Sequence, residues 1–378
     1  MITYCIPSKN NLRYLKTCIP SIRDNSYHKD NEIIVFVDED KDGTVEWLKE
    51  NEVKHIVNPN SEPMGIGHAY DTMFKAAKHE LVVAFHADMV LGHHADYWML
   101  YYKKKDNVVC ATRIEPPLHP PGREKIVADF GMWPEDINME EFNEEVKNFI
   151  HNFRVTKGMF APWMIEKSQH LGHDPIFKSV YEDADLFRRF VLAGYKMVQT
   201  WDAVVYHFTC RGGQFAGAEK MEDFQRKDDK WMHNNSVSMA EYVRKWGGLF
   251  NEYGPCEPKP NKKYDCGLEA KNCTGQVFRL EPWFDNLSVD LEESDYVSSV
   301  QPNTSFDLKS KFKRELQNDI VFCVDFSNPT IHDKLWQLVT NREDVLSDIK
   351  EPGNYEFDGV LVRVNKLEVK NPKIKLKW

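Results

Sequence analysis

The sequence predicts an α/β protein, a parallel sheet with crossover helices followed by a smaller C-terminal α+β domain. Three observations carry this. Short apolar runs alternate with helix-spaced stretches from the first residues onward, the pattern of strand–helix–strand units. Acidic residues close several of the apolar runs. The character of the chain changes after a Pro- and Lys-rich stretch at 254–275.

Ile2–Pro7 is the first strand, and Ser8-Lys9-Asn10-Asn11 is its turn. Leu12, Leu15, Ile19 and Ile22 recur at helical spacing, with Pro20 expected to kink or shorten that helix. Glu32–Asp38 (EIIVFVD) is a buried strand. Asp42-Gly43-Thr44 opens a helix bearing Val45, Trp47 and Leu48, and Val53–Val57 is a short strand. Gly67–Lys78 is helical through Ala69, Met73, Ala76 and Ala77, and Glu80–Phe85 is a central strand ending in His86-Ala87-Asp88. Arg113–Gly131 is Pro-rich and expected to be irregular. Helices follow at Asn138–Asn152 and Glu182–Ala193, with strands at Tyr195–Thr200 and Ala203–Phe208. Two polar helices are expected near Ala218–His233 and Ser238–Trp246. Beyond the linker, Leu361–Val364 and Ile374–Leu376 read as strands, Asp333–Val339 and Asp344–Ile349 as helices. The division expected is therefore 1–253, a linker at 254–275, and a C-terminal domain at 276–378.

With 42% hydrophobic and 29% charged residues, the chain has the apolar mass for a real core and is not globally disordered. Its formal net charge of -10 disfavours non-specific binding to nucleic acid or anionic lipid. Cys5, Cys18 and Cys110 lie in apolar runs and read as small buried hydrophobes. The chain opens directly into a strand, and no apolar run reaches the ~18 residues of a membrane span. The expectation is a cytoplasmic, reduced protein, in which the Asn-x-Ser/Thr matches at Asn234, Asn272, Asn286 and Asn303 carry no weight. The oligomeric state is not legible.

In open parallel sheets, ligands bind beyond the carboxyl ends of the strands. Asp38 and Asp88 stand at such ends, with Asp40 and Asp42 just after Asp38. Carboxylates there suit a hard divalent cation that retains water or phosphate ligands, although each alone also reads as a turn or cap residue. Glu182 and Asp183 begin a helix, where acids also complement the helix dipole. His207 ends the strand AVVYHF, ahead of Cys210-Arg211-Gly212-Gly213.

Taken in order, these pieces resemble the family-2 glycosyltransferases, inverting enzymes with a Rossmann-like GT-A fold. The resemblance covers roughly the first 250 residues. Its pieces are Ile6-Pro7-Ser8-Lys9-Asn10-Asn11, VFVDEDKDGT, Gly65 with the following helix, FHADMVL in place of the D-x-D segment, Leu171–Phe177, YEDADLFRRFVLAGYKM, the strand-end His207, and Tyr242–Gly247. It implies a nucleotide-sugar donor, with uridine diphosphate expected, a hydroxyl acceptor on a glycan or other molecule, and Mn²⁺ or Mg²⁺. It places the metal on Asp88 and His207, the base on Asp183 with Glu182 assisting, and the nucleotide sugar near Pro7, Ser8, Asn10, Asp38, Asp40, Gly65, His68, His86, Ala87 and Arg211. Arg211 would meet phosphate from a flexible lid. An imidazole ligand leans toward Mn²⁺. Two positions depart from the family: His86 stands where the first Asp of D-x-D is usual, and His68-Ala69-Tyr70-Asp71 replaces a basic residue and Asn.

Three rival readings remain. A sugar nucleotidyltransferase needs a Gly-rich loop after the first strand, where this chain has PSKNN. A dehydrogenase needs a third glycine after Gly65-Ile66-Gly67. An inactive carbohydrate- or nucleotide-binding protein is the reading that His86 favours. In the C-terminal region, the aromatics of Phe278–Asp290 either meet sugar rings or pack inward. Cys256, Cys266 and Cys273 are a weak zinc candidate, lacking the paired spacing of common sites.

Overall fold

The computed structural model describes every residue except 210, 212, 254–256, 260, 377 and 378. The chain forms two compact units: residues 1–234 with 252–259 and 374–378, and residues 235–251 with 260–373.

In the first unit, apolar runs become β1 (Thr3–Lys9), β2 (Glu32–Glu39), β3 (Lys54–Val57) and β4 (Leu81–Ala84), separated by α1 (Leu12–Asn25), α2 (Thr44–Glu50) and α3 (Ile66–Ala76). β1 pairs in parallel with β2 on one side and β4 on the other. The order β3-β2-β1-β4 therefore reverses direction between β1 and β4, a switch point whose carboxyl end is the usual ligand crevice. α1 continues through Pro20. The buried face of Leu15, Cys18, Ile19 and Ile22 holds it where the missing N–H would have ended it.

Beyond this half lie β5 (Met89–Leu91), α4 (Ala95–Tyr102), β6 (Asn107–Glu115), β7 (Lys125–Val127), α5 (Met139–Lys147), β8 (Val155–Lys157), β9 (Trp163–Glu166), α6 (Glu182–Leu192) and β10 (Lys196–His207). β9 inserts antiparallel between β4 and β6, and β10 runs parallel to β6 and antiparallel to β5. The two strands expected at 195–208 are one, with an irregularity between Thr200 and Val204. The segment 113–131 read as irregular is so for most of its length, apart from the end of β6 and the short β7. The chain passes between units within α7 (Asp229–Trp246), one helix in place of the two expected. A two-stranded pair, β11 (Glu252–Tyr253) and β12 (Glu257–Pro258), belongs to the first unit.

The second unit is a five-stranded sheet: β13 (Cys266–Lys271), β14 (Asn286–Val289), β15 (Ile320–Asp325), β16 (Gly353–Phe357) and β17 (Val360–Val364), in the order β14-β13-β15-β17-β16. The helices α8 (Ser294–Val300), α9 (Ile331–Thr340) and α10 (Arg342–Asp348) belong to the same unit, as does the C-terminal part of α7. Leu268, Phe322, Leu335, Val339 and Val362 lie in its core. The linker expectation at 254–275 thus differs from the structure, since β13 sits inside this sheet with Cys266, Leu268 and Ala270 buried alternately. Residues 374–376 form no strand. Trp283 and Phe284 are buried and Phe278 stacks on Tyr296 at 4.7 Å, so these aromatics pack inward. Cys266 is buried in the strand, while the backbone N–H of Cys273 donates to Asp290 at 2.9 Å. Cys256 lies outside the described residues, and no metal-capable group among them includes Cys266 or Cys273.

Candidate active site at the strand ends of the first unit

β4 ends at Ala84, and the turn His86-Ala87-Asp88 leads straight into β5. β5 pairs with the end of β10, Met89 opposite His207. That pairing delivers Asp88 and His207 to one place, with His207 Nε2 3.4 Å from Asp88 Oδ1. His86 joins them, its ring 5.6 Å from that of His207. One ligand atom from each of His86, Asp88 and His207 falls within 4.8 Å of the others.

The donor set is two imidazoles and a carboxylate, a combination suited to a borderline divalent cation. His207 is further held from behind. Its Nδ1 lies 2.9 Å from Glu115 Oε1 at the end of β6, leaving Nε2 as the nitrogen facing Asp88. A carboxylate behind a ligating imidazole is the common supporting arrangement of metal sites. Glu115 is itself almost fully buried and compensated by Lys125 at 2.7 Å and Arg113 at 3.3 Å. The sequence reading missed Glu115. The signal was an acid at the end of an apolar run, hidden by the prolines that follow it.

The electrostatics follow from this packing. Burial works against ionised Asp88, but His207 and His86 outweigh it and hold the carboxyl at about 2. Burial pulls His86 down to about 4, against the opposing pull of Asp88. For His207 burial also lowers the value, yet Asp88 and Glu115 together raise it to about 8. Glu115 is held far below the usual range, its burial overcome by His207, Arg113 and Lys125.

Glu182 and Asp183 open α6 after Tyr181, whose φ is +71°. Both are half-buried, and Asp183 Oδ1 accepts from the N–H of Ala184 at 2.6 Å. Burial, then the neighbouring Asp183, pushes Glu182 up to about 8. Asp183 is raised by burial and moderated by the Ala184 N–H, His173 and Arg113. The phenol of Tyr70 on α3 is raised by burial and by the charges of Glu182, Asp88 and Asp183. Tyr70 is thus within electrostatic reach of the α6 pair and of Asp88 alike.

The remaining positions divide. Ser8 is buried at the end of β1, with its Oγ unpartnered among the described residues, and Pro7 beside it is half-buried. Asn10 bridges Glu39 and the backbone of Lys41. Asp38 clamps a loop: it accepts from the N–H groups of Met64 at 2.8 Å and Gly65 at 3.1 Å, and from Asn58 at 2.9 Å. Gly65 has φ +92°, and a Cβ there would lie 2.0 Å from the carbonyl oxygen of Lys178, so only glycine fits. His68 is exposed and sits edge-on to Phe36. Ala87 is buried. Asp40 turns away from the crevice and caps α2 through the N–H groups of Thr44 and Val45. Arg211 also differs from expectation. Its guanidinium is buried over Trp133 and Phe224 and donates to Met132 O at 2.8 Å, rather than standing on an open lid, while its backbone N–H reaches Asp88. Gly212 lies outside the described residues.

A second metal-capable cluster, Asp71, His170 and His173, lies beside Tyr70. Asp71 Oδ1 receives His170 Nε2 at 2.8 Å and His173 Nδ1 at 2.6 Å. This ties α3 to the segment preceding α6. Among the described residues, no helix is long and apolar enough to cross a membrane.

No curated protein matches the chain. Solved structures are similar to it at low identity, two of them as follows. One is GalNAc-T7 with UDP, GalNAc and Mn²⁺, at 16% identity and a TM-score of 0.42, covering 55% of this chain and 43% of that one. The other is the mannosyltransferase PcManGT from Pyrobaculum calidifontis in complex with GDP-Man and Mn²⁺, at 17% identity and a TM-score of 0.37, covering 55% and 56%. The chain thus spans about half the length of each. Residues 3–160 match the model described as glycosyl transferase family 2, and this N-terminal segment is a glycosyltransferase domain of that family.

Proposed function

We propose that the protein transfers a sugar, with inversion, from a nucleotide diphosphate donor, a uridine diphosphate sugar, to a hydroxyl of a glycan or other acceptor. The observation that carries this reading is the His86–Asp88–His207 cluster after β4 in a sheet with a β1/β4 switch point, with Glu182 and Asp183 acting on the same Tyr70 phenol as Asp88. The donor set fits a divalent cation, and its nitrogen content favours Mn²⁺ over Mg²⁺. When bound there, the cation would supply the positive charge that offsets the charge building on the leaving diphosphate.

The chain's own residues do the rest. Glu115 fixes the tautomer and orientation of His207. Pro7, Ser8, Asn10, Asp38, Gly65, His68 and Ala87 border the donor end, and there Asp38 acts by shaping the 58–65 loop. Asp183 takes the proton of the acceptor hydroxyl, help typically worth ~10²–10⁴-fold. Its raised pKa suits that work, because a base with higher proton affinity accepts more readily. Glu182, protonated at neutral pH, donates a hydrogen bond that orients base or acceptor. A phosphate contact by the Arg211 side chain would require its packing on Trp133 and Phe224 to open.

Incubation with a panel of nucleotide sugars and Mn²⁺, read as nucleotide diphosphate release, tests the proposal. Release with a uridine diphosphate sugar is expected. Tight metal-dependent nucleotide binding with no release on any donor would replace the enzyme by a binding protein.

A further inference from the structure

The first unit carries an exposed aromatic face. Tyr27, Tyr97, Tyr101 and Phe153 are 52, 38, 55 and 57% exposed. They are not scattered. Tyr27 meets Tyr97 at 5.2 Å, Tyr97 meets Tyr101 at 6.5 Å, and Tyr101 meets Phe153 at 6.1 Å. Tyr97, Tyr101 and Phe153 are seated around buried Trp98. Contiguous exposed apolar surface of this kind marks an interaction site.

The face is built rather than incidental. Asp96, fully buried on α4, accepts from the N–H groups of Tyr27 and His28 at 2.8 and 3.0 Å. Asp202, equally buried, accepts from the N–H groups of Asn152 and Phe153 at 2.9 and 3.1 Å and from the Tyr102 hydroxyl at 2.8 Å. Two buried carboxylates therefore pin the two loops that present Tyr27 and Phe153. The backbone is strained at the same places. His94, His151 and Phe153 have φ of +57°, +67° and +52°, a region bulky residues avoid unless their surroundings over-determine it. Here that strain turns an aromatic ring outward into water.

Charge identifies the occupant. α4 runs directly into Lys103-Lys104-Lys105, of which Lys104 and Lys105 are exposed. Exposed Lys29 follows Tyr27 and acts electrostatically on His94, whose ring packs against Tyr27. Exposed Arg154 follows Phe153. Exposed Asp30 and Asp106 stand beside these cations, but Asp106 is paired with Lys196 at 2.8 Å, so in a protein of net charge -10 the cations are still in excess around the exposed aromatic face. Aromatic rings with one polar end, flanked by lysines, are the chemistry of an anionic membrane interface. A second copy docking face to face would oppose these lysines to their own equivalents. A neutral glycan would leave them unused.

We propose that this face docks the protein reversibly on the surface of an anionic lipid bilayer. The contributing segments, the end of α1, α4 and the loop before β8, supply none of the candidate site residues. The test is flotation of the full chain with vesicles of phosphatidylcholine alone and of an equal mixture with phosphatidylserine. Binding to the mixed vesicles is expected, weakened by salt. Combined Tyr97→Ser, Tyr101→Ser and Phe153→Ser should weaken it at least tenfold, and Lys104→Gln and Lys105→Gln by about fivefold each. The three rings also pack on Trp98, so circular dichroism and a thermal melt of the aromatic variant accompany the assay, and the lysine variants, whose side chains are exposed, separate lost docking from lost fold. Absence of binding to mixed vesicles overturns the proposal, as does equal binding by the folded aromatic variant. A dimer in light scattering that the aromatic substitutions dissolve assigns the face to a second copy instead. Oligosaccharide binding lost in the same variant assigns it to a glycan.

Discussion

Glu115→Gln isolates the support behind the proposed metal ligand. The wild-type carboxylate joins His207 Nδ1 on one oxygen at 2.9 Å and Lys125 on the other at 2.7 Å. A glutamine amide has the same shape but one acceptor and one donor. Placed with its oxygen toward His207, its NH₂ faces the ammonium of Lys125. Placed the other way, it donates to Nδ1 and moves the imidazole proton to Nε2, the nitrogen that faces Asp88 and must be bare to bind a cation. Each orientation weakens the site. The expected loss of Mn²⁺ affinity is ~10–100-fold, the usual range for such supporting groups, or about 1.4–2.7 kcal/mol. Melting temperature against Mn²⁺ concentration at fixed uridine diphosphate measures it. The apo melting temperature should also drop, because Arg113 and Lys125 lose a buried counter-charge. A lower apo melting temperature with metal affinity within about twofold of wild type would refute the reasoning, since Glu115 would then serve the fold alone.

Asp183→Asn should leave metal-dependent nucleotide binding intact and reduce transfer by ~10²-fold or more; near-normal turnover would return Asp183 to a helix-start residue. Glu182 has a folded pKa of about 8 against an ordinary 4.5, mainly from burial and then from Asp183. Its stability contribution is therefore full below the unfolded value and lost as pH rises through about 8. Glu182→Gln should flatten that decline in a series of urea melts across pH, and an unaltered slope counts against it. Gly65→Ala would set a Cβ against Lys178 O and require φ +92°, costing roughly 2–5 kcal/mol. A loss below about 0.5 kcal/mol would mean the loop relaxes freely.

The first half of the sheet is legible because each strand is a continuous apolar run and each helix has a 3.6-residue apolar face. Asp88 and His207 are legible because they close such runs, and in a sheet of this type a polar strand end faces the crevice. What is not legible is which strands become neighbours. β9 comes from an apolar, aromatic stretch far along the chain and enters antiparallel between β4 and β6, and no local periodicity encodes that pairing. Glu115 is hidden for the same reason. Its partner His207 is 92 residues away, and the prolines after it give a signal of irregularity. Asp38 and Asp40 show a further limit. Asp38 lies near the end of β2 and Asp40 just after it, yet one clamps the 58–65 loop and the other caps α2, because nearby N–H groups compete for a carboxylate wherever they reach it first. In the second unit β15 is as clear an apolar run as β2, but no regular alternation of helices and strands surrounds it to give it a place.

His86 gains meaning from this geometry. Where the family usually has an acid, an imidazole brings no negative charge, so the proposed site relies on Asp88 for its anionic ligand. The near-ligand carboxylate Glu115 is already committed to Arg113 and Lys125. A donor set of one carboxylate and two imidazoles attracts a cation less by charge than by nitrogen lone pairs. That disfavours Mg²⁺, which demands oxygen ligands and gives up water reluctantly, and it favours Mn²⁺. It also leaves the bound cation with more uncompensated positive charge. Such a cation would hold a diphosphate strongly, since the phosphate oxygens would be its main source of negative charge. The substitution that argues for an inactive protein is thus equally consistent with a site that assembles only when donor and metal arrive together.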